Sequence, residues 1–278
     1  MSLYLDIYKP DERLSSNFLL RTKDTLASMA KLPDELRQQF PLDLDNNESG
    51  TPRISAHIHL LFHQCIILAT RPILFCLYKI RLETPHSYTR IFDSSPSVQS
   101  LLRMCLDSSQ HVVSILECLQ REDLIETFLS YDLEALSISM TNLLVAPVLY
   151  QGDGSNWASW RHRAFSILDE IAQSGNLIAQ CHESELKRLQ QMIEILTGVS
   201  ERTPESPRHA PVSTTVTEPP AGAGFSDPEA ILPSPITEDV LDGNYTGAGF
   251  STSQIMDMVN SIDTEHSEWM TEAFFEYT

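Results

Sequence analysis

His57-Ile-His-Leu-Leu-Phe-His-Gln-Cys-Ile-Ile-Leu-Ala-Thr-Arg-Pro-Ile-Leu-Phe75 decides how the rest of this chain is read. The stretch is strongly apolar, yet three histidines, a glutamine and an Arg-Pro pair interrupt it. A membrane helix needs about 20 consecutive apolar residues, and a charge followed by a proline in mid-run argues against one. The reading is a helix buried in a large helical domain, with no membrane partner. Pro72 lacks a backbone donor and is expected to kink or split the run from Ile54 to Leu82.

The sequence on either side repeats the helical pattern. Leu26, Met29 and Ala30 share one face, and Pro33 can open a second short helix in its first turn. Asp43 to Pro52 is polar and reads as a loop. Ser95 is placed to cap a helix that begins at Pro96, and Val98, Leu101, Leu102, Cys105, Val112, Leu116 and Leu119 follow at helical spacing. Asp132 can cap the next helix, which carries Leu133, Leu136, Met140, Leu143 and Leu144. Gln151 to Asn156 is a turn, Trp157 to Ala172 a helix, and Glu183 to Leu196 another with Leu186, Leu189, Ile193 and Leu196 on one side. No series of strands is legible. The expected fold is all-α: a multi-helix domain over residues 1–197, followed by a disordered acidic C-terminal tail.

Composition changes at Gly198. Half of the sixteen prolines lie between Pro204 and Pro235, among Ser, Thr, Gly and Ala, so residues 198–248 read as a disordered linker. The sequence GAGFS occurs twice in this region, at Gly222–Ser226 and Gly247–Ser251, without the strand or third glycine of a dinucleotide fingerprint. Over 249–278, Ser251 and Gln254 fit a capping box, and Ile255, Val259 and Ile262 form a stripe. Trp269, Met270, Phe274, Phe275 and Tyr277 then alternate with Glu268, Glu272 and Glu276. Acids keep such aromatics solvated until a coactivator groove takes the apolar face as a helix. The bland alternative is a terminal helix docked back on the domain.

Charge limits the partners. The chain has 38 Asp and Glu against 19 Lys and Arg. From Val199 onward there are fourteen acids and two arginines, and after Arg208 no Lys or Arg at all. Nucleic-acid binding rests on neutralising phosphates, so direct DNA binding by this chain is not expected. Five widely spaced cysteines, Cys65, Cys76, Cys105, Cys118 and Cys181, do not look like a disulfide framework; four of the five, Cys65 among them, sit in apolar helical context, which suits free buried thiols in a reducing compartment. The N-terminal sequence lacks the pattern of a signal peptide.

No constellation reaches an enzyme claim, and no catalytic, cofactor-binding or metal residue is assigned. His57, His59, His63 and Cys65 are metal-capable, and His59 and His63 lie one turn apart, but the glutamate that a metalloprotease helix needs is replaced by Leu60. Arg71 can bond carbonyls freed by Pro72 or pair with a buried acid. Ser155 lacks a nucleophile-elbow setting. Cys181, His182 and Glu183 are sequence neighbours on a helix and point to different faces.

Several short motifs, in order, resemble the middle homology region of fungal zinc binuclear-cluster transcription factors. They are Leu32-Pro33 with Leu36; Leu60, His63, Gln64, Ile67, Leu68, Arg71 and Pro72; the helix Cys105 to Leu119; Phe128, Tyr131 and Asp132; and Gly175-Asn176, Ala179, Glu185-Leu186 and Leu189. The likeness covers about Leu26 to Leu196. It implies an all-α regulatory domain and a nuclear, transcriptional role, with coactivators as partners of the tail. A full-length zinc-cluster factor or a small-molecule effector is a further implied partner. The family's cluster begins Cys-x2-Cys-x6-Cys, whereas the spacings here are 11, 29, 13 and 63, so zinc and base contacts are not carried over. The alternative is a helical interaction scaffold or ligand-sensing protein that pairs with a full-length factor.

Overall fold

The computed structural model describes residues 16–44, 52–128, 130–150, 156–197 and 249–262. Among them the fold is all-α, with no strand. The helices are α1 (Ser16–Met29), α2 (Leu32–Gln39), α3 (Arg53–Glu83), α4 (Pro85–Ser94), α5 (Pro96–Arg121), α6 (Ser130–Leu149), α7 (Trp157–Gln173), α8 (Leu177–Thr197) and α9 (Thr252–Ser261). The expected linker, the polar loop beyond Leu44 and the 151–155 turn with Ser155 lie outside the described residues.

The centre is the pairing of α3 with α5. Leu60, Ile67, Leu74 and Leu77 of α3 and Leu101, Leu102, Cys105, Val112 and Leu116 of α5 are all fully buried. Helix α6 lies against both, and α7 and α8 complete that side. Leu133, Leu136, Met140, Leu143 and Leu144 point into the core as their spacing predicts. On α8, Leu186 and Ile193 are buried, whereas Leu196 is exposed. By length and composition, α3 and α6 could each cross a membrane, but 61% and 72% of their most apolar windows are buried inside the protein. Burial against neighbouring helices accounts for their apolar character.

Three local expectations are corrected. First, α3 is not split at Pro72 but runs unbroken from Arg53 to Glu83. An internal proline costs about 3 kcal/mol. The complete burial of Ile73, Leu74 and Leu77 just beyond it outweighs that, since each such side chain contributes about 1.5–3 kcal/mol. The Thr22 hydroxyl also donates to the Ala69 carbonyl (3.5 Å) and Thr70 to the Ile66 carbonyl (2.8 Å), beside the proline. Second, Arg71 neither pairs with an acid nor bonds a freed carbonyl among the described residues. Its guanidinium lies 4.8 Å over the Phe75 ring, and its buried Nε has no hydrogen-bond partner.

Third, Asp132 is not a cap. It sits inside the first turn of α6, wholly buried, and accepts from Arg53 Nη2 at 2.6 Å. This pair ties the start of α6 to the start of α3. Local signals hold elsewhere. Ser95 and Pro96 open α5, although the Ser95 hydroxyl makes no cap bond. Gly175, at φ +95°, ends α7. Asn176 then starts α8, accepting from the Ile178 and Ala179 amides (2.9 and 3.0 Å) and donating to the Thr127 carbonyl (2.6 Å).

Replacing Arg53 by methionine strands the buried Asp132 carboxylate, the costly way to break such a pair. Urea unfolding of Arg53→Met should show a loss of about 3–5 kcal/mol. A loss under about 1 kcal/mol would show the pair to behave as a surface contact.

Candidate functional site: the seat of the C-terminal helix

The most specific assembly of polar groups is where α9 meets the body. The expected helix is present, and its capping box is complete: Gln254 N–H donates to Ser251 Oγ (3.1 Å) and Ser251 N–H to Gln254 Oε1 (2.8 Å). Its place differs from the expected loose end. Phe250, Ile255, Val259 and Ile262 are buried in the same core as α1–α8. The stripe that reads as a surface for a foreign groove is used, over these residues, on the chain's own α1, α2 and α5. The physical reason is that body and stripe belong to one chain, and joining them buries four apolar side chains worth about 1.5–3 kcal/mol each. The aromatic residues Trp269 to Tyr277 lie outside the described residues.

Three donors from the body hold the two ends of this segment. Arg37 Nη2 donates to the Phe250 carbonyl at 2.5 Å, Lys23 Nζ to the Ile262 carbonyl at 3.0 Å, and Ser97 Oγ to the Ser261 carbonyl. The carbonyls at a helix C-terminus lack intrahelical partners and carry partial negative charge, so a lysine and a hydroxyl there satisfy and stabilise the end.

Beneath Phe250 lies a pair of histidines. The rings of His63 on α3 and His111 on α5 stack at 4.7 Å and 11°, and the Phe250 ring centre is 6.2 Å from one and 5.9 Å from the other. Gly249 sits on the same rings at φ +64°, where an added Cβ would come within 3.3 Å of His63 Nε2. His111 Nδ1 donates to the Asp107 carbonyl (2.8 Å), and His63 Nδ1 is 3.5 Å from Ser108 Oγ. His59, one turn before His63, donates from Nε2 to the Phe40 carbonyl (2.9 Å). Burial lowers the pKa of all three, that of His63 well below its ordinary 6.5. The rings are therefore neutral near pH 7; neighbouring histidines add to the lowering at His63 and His111 and Arg37 to that at His59, while the carbonyl hydrogen bonds of His59 and His111 act the other way.

The metal-capable residues of the central segment do not converge. His57 packs 4.5 Å from the Tyr131 ring, Cys65 is exposed, and His59 and His63 point to different partners. No group of three His, Cys, Asp or Glu among the described residues could hold a metal ion. Cys76, Cys105 and Cys118 are buried free thiols; burial pushes Cys76 and Cys105 up to about 12, so they are unreactive at neutral pH. Cys181 is exposed beside Glu185, and Glu183 pairs with Lys187, so Cys181 and its sequence neighbours form no dyad. His111, on another helix, was not among the candidates. Its role depends on α5 lying against α3, which no local signal conveys.

Two outcomes follow from this geometry. Gly249→Val sets a branched side chain at a left-handed position costing about 1–2 kcal/mol and drives it into His63. Hydrogen exchange across Ile255–Ser261 should accelerate at least tenfold while the rest of the body keeps its protection. Unchanged exchange there would show that the close approach does not hold α9. The second outcome concerns pH. The histidines have lower pKa values folded than unfolded, so the unfolded chain takes up more protons as pH falls through about 6.5, and stability falls with it. Asp107, raised by burial to about 6 and faced by Arg103, acts in the opposite sense below that pH. The urea midpoint should therefore drop between pH 7.5 and 6, and His63→Gln should drop less. Equal drops would remove His63 as the cause. Comparison with known protein families, curated proteins and solved structures returns no match.

Proposed function

We propose that this chain is a transcription regulator in which a helical body anchors an acidic, aromatic activating segment. The observation that carries the reading is the pairing of two features: a C-terminal part without a single Lys or Arg after Arg208, and a specific seat for the helix immediately before Trp269–Tyr277. Anchoring at Phe250–Ile262 ties to the body the part of the chain that precedes the aromatic residues in sequence. It also places α9 in equilibrium between docked and free forms, and only the free form can offer its apolar face to a coactivator. The resemblance to zinc-cluster factors supports a nuclear location and a pairing with a full-length factor that supplies DNA binding. No catalytic role is proposed.

A reporter assay tests this. Residues 249–278 fused to an unrelated DNA-binding domain should activate transcription, and Trp269→Ala with Phe274→Ala should bring output to background. The full chain fused in the same way should activate less, and Gly249→Val in the full chain should raise output several-fold. Silence from 249–278 overturns the activating role. Equal output from the full chain and its Gly249→Val variant overturns control by docking.

A further inference from the structure

The outward face of α3 is not a normal surface. Ile54, Leu61, Leu68, Phe75 and Leu82 recur every seven residues along it. Leu68 is half-buried, while Ile54 (69%), Leu61 (42%), Phe75 (36%) and Leu82 (39%) are among the exposed large hydrophobics. Ile58, Cys65 and Pro72 fall four residues after the first three of these and Lys79 after the fourth, so the face alternates 4-3 with one lysine in the seam, a single polar position of the kind that sets register in a coiled coil. A repeat of 3.5 residues is the seam of a coiled coil, in which each side chain inserts between four of a facing helix. It is not the pattern of α3's inner face, which is broad and fully packed.

We propose that this seam pairs with the same seam of a second copy of the chain, making a two-fold symmetric dimer through α3. Three observations select that occupant. A two-fold interface must be self-complementary, and a heptad stripe fits another of the same period and length. From Ile54 to Leu82 the stripe runs about 42 Å, and about 10 Å of width gives roughly 400 Å². The half-buried His57, Gln64, Arg71 and Tyr78 flank it on one side; the stripe alone supplies about half of the roughly 800 Å² that each partner contributes to a standard-size complex. Finally, the face holds no Asp or Glu in a chain of net charge −19, its charges being Lys79 and the flanking Arg71, so two copies meet away from the acids that repel them elsewhere.

The docked residues 249–262 of the chain's own C-terminal segment are already committed elsewhere. Phe250 seats against His63, and His63 is nine residues on from Ile54, half a turn around α3 from the seam. The 198–248 stretch, with half of the sixteen prolines between Pro204 and Pro235, has no comparable stripe.

Light scattering coupled to gel filtration on the full chain tests the proposal, at 0.15 M salt and again at higher salt to screen repulsion. The wild type should have twice the 31.3 kDa mass of one chain at micromolar concentrations. Leu61→Glu with Phe75→Glu, both surface positions, should have the single-chain mass with unchanged helical circular dichroism. Met192→Glu with Ile195→Glu, which places two acids on the exposed side of α8, should remain dimeric. In a Cys181→Ser background, diamide should trap a disulfide-linked dimer through Cys65 that the Leu61/Phe75 variant loses. A wild type of single-chain mass at every concentration, whatever segment then covers the seam, overturns the proposal. So does a Leu61/Phe75 variant that stays dimeric.

Discussion

Everything else in this protein depends on the burial of one side of α3 against α5. That contact buries Leu60, Ile67, Leu74 and Leu77 and carries α3 through Pro72. It brings His63 onto His111, creating the flat paired surface on which Gly249 and Phe250 rest. It also determines what is left outside. With the inner face consumed by packing, the opposite side of α3 keeps Ile54, Leu61, Phe75 and Leu82 exposed among the described residues.

The polar residues follow the same logic. A buried charge needs a partner, and Asp132 has Arg53, which joins the first turns of α6 and α3. Half-buried Arg71 has no acid beside it among the described residues; its guanidinium lies over the Phe75 ring instead. The histidines are kept neutral by burial, so they behave as packing surface near pH 7 and become a liability only when acid offers them a proton. The seat of α9 thus combines apolar burial, carbonyls held by Lys23, Arg37 and Ser97, and rings whose charge state depends on pH.

Much of the helical body was legible because its signals are local. Pro33, Ser95-Pro96 and the Ser251–Gln254 box mark helix starts by the chemistry of unpaired amides. The stripes on α5 and α6 show which side faces inward. The misreadings share one cause. Asp132 looks like a cap because caps are short-range, but its partner is 79 residues away. Pro72 looks like a break because propensity favours one, and only neighbouring helices resist it. Cys65 reads as buried because its neighbours are apolar, yet it faces outward.

The amino-acid sequence by itself determined that the described chain is helical, which residues line each inner stripe, and that cations end at Arg208. Periodicity, capping chemistry and charge are written residue by residue, so no partner needs to be known to read them. Only the tertiary structure decided that α9 is docked, that His63 meets His111, and that an apolar seam of α3 faces outward. Each of these depends on which helices lie side by side. A stripe in a sequence says that a surface is to be covered; the packing of the whole chain determines what covers it.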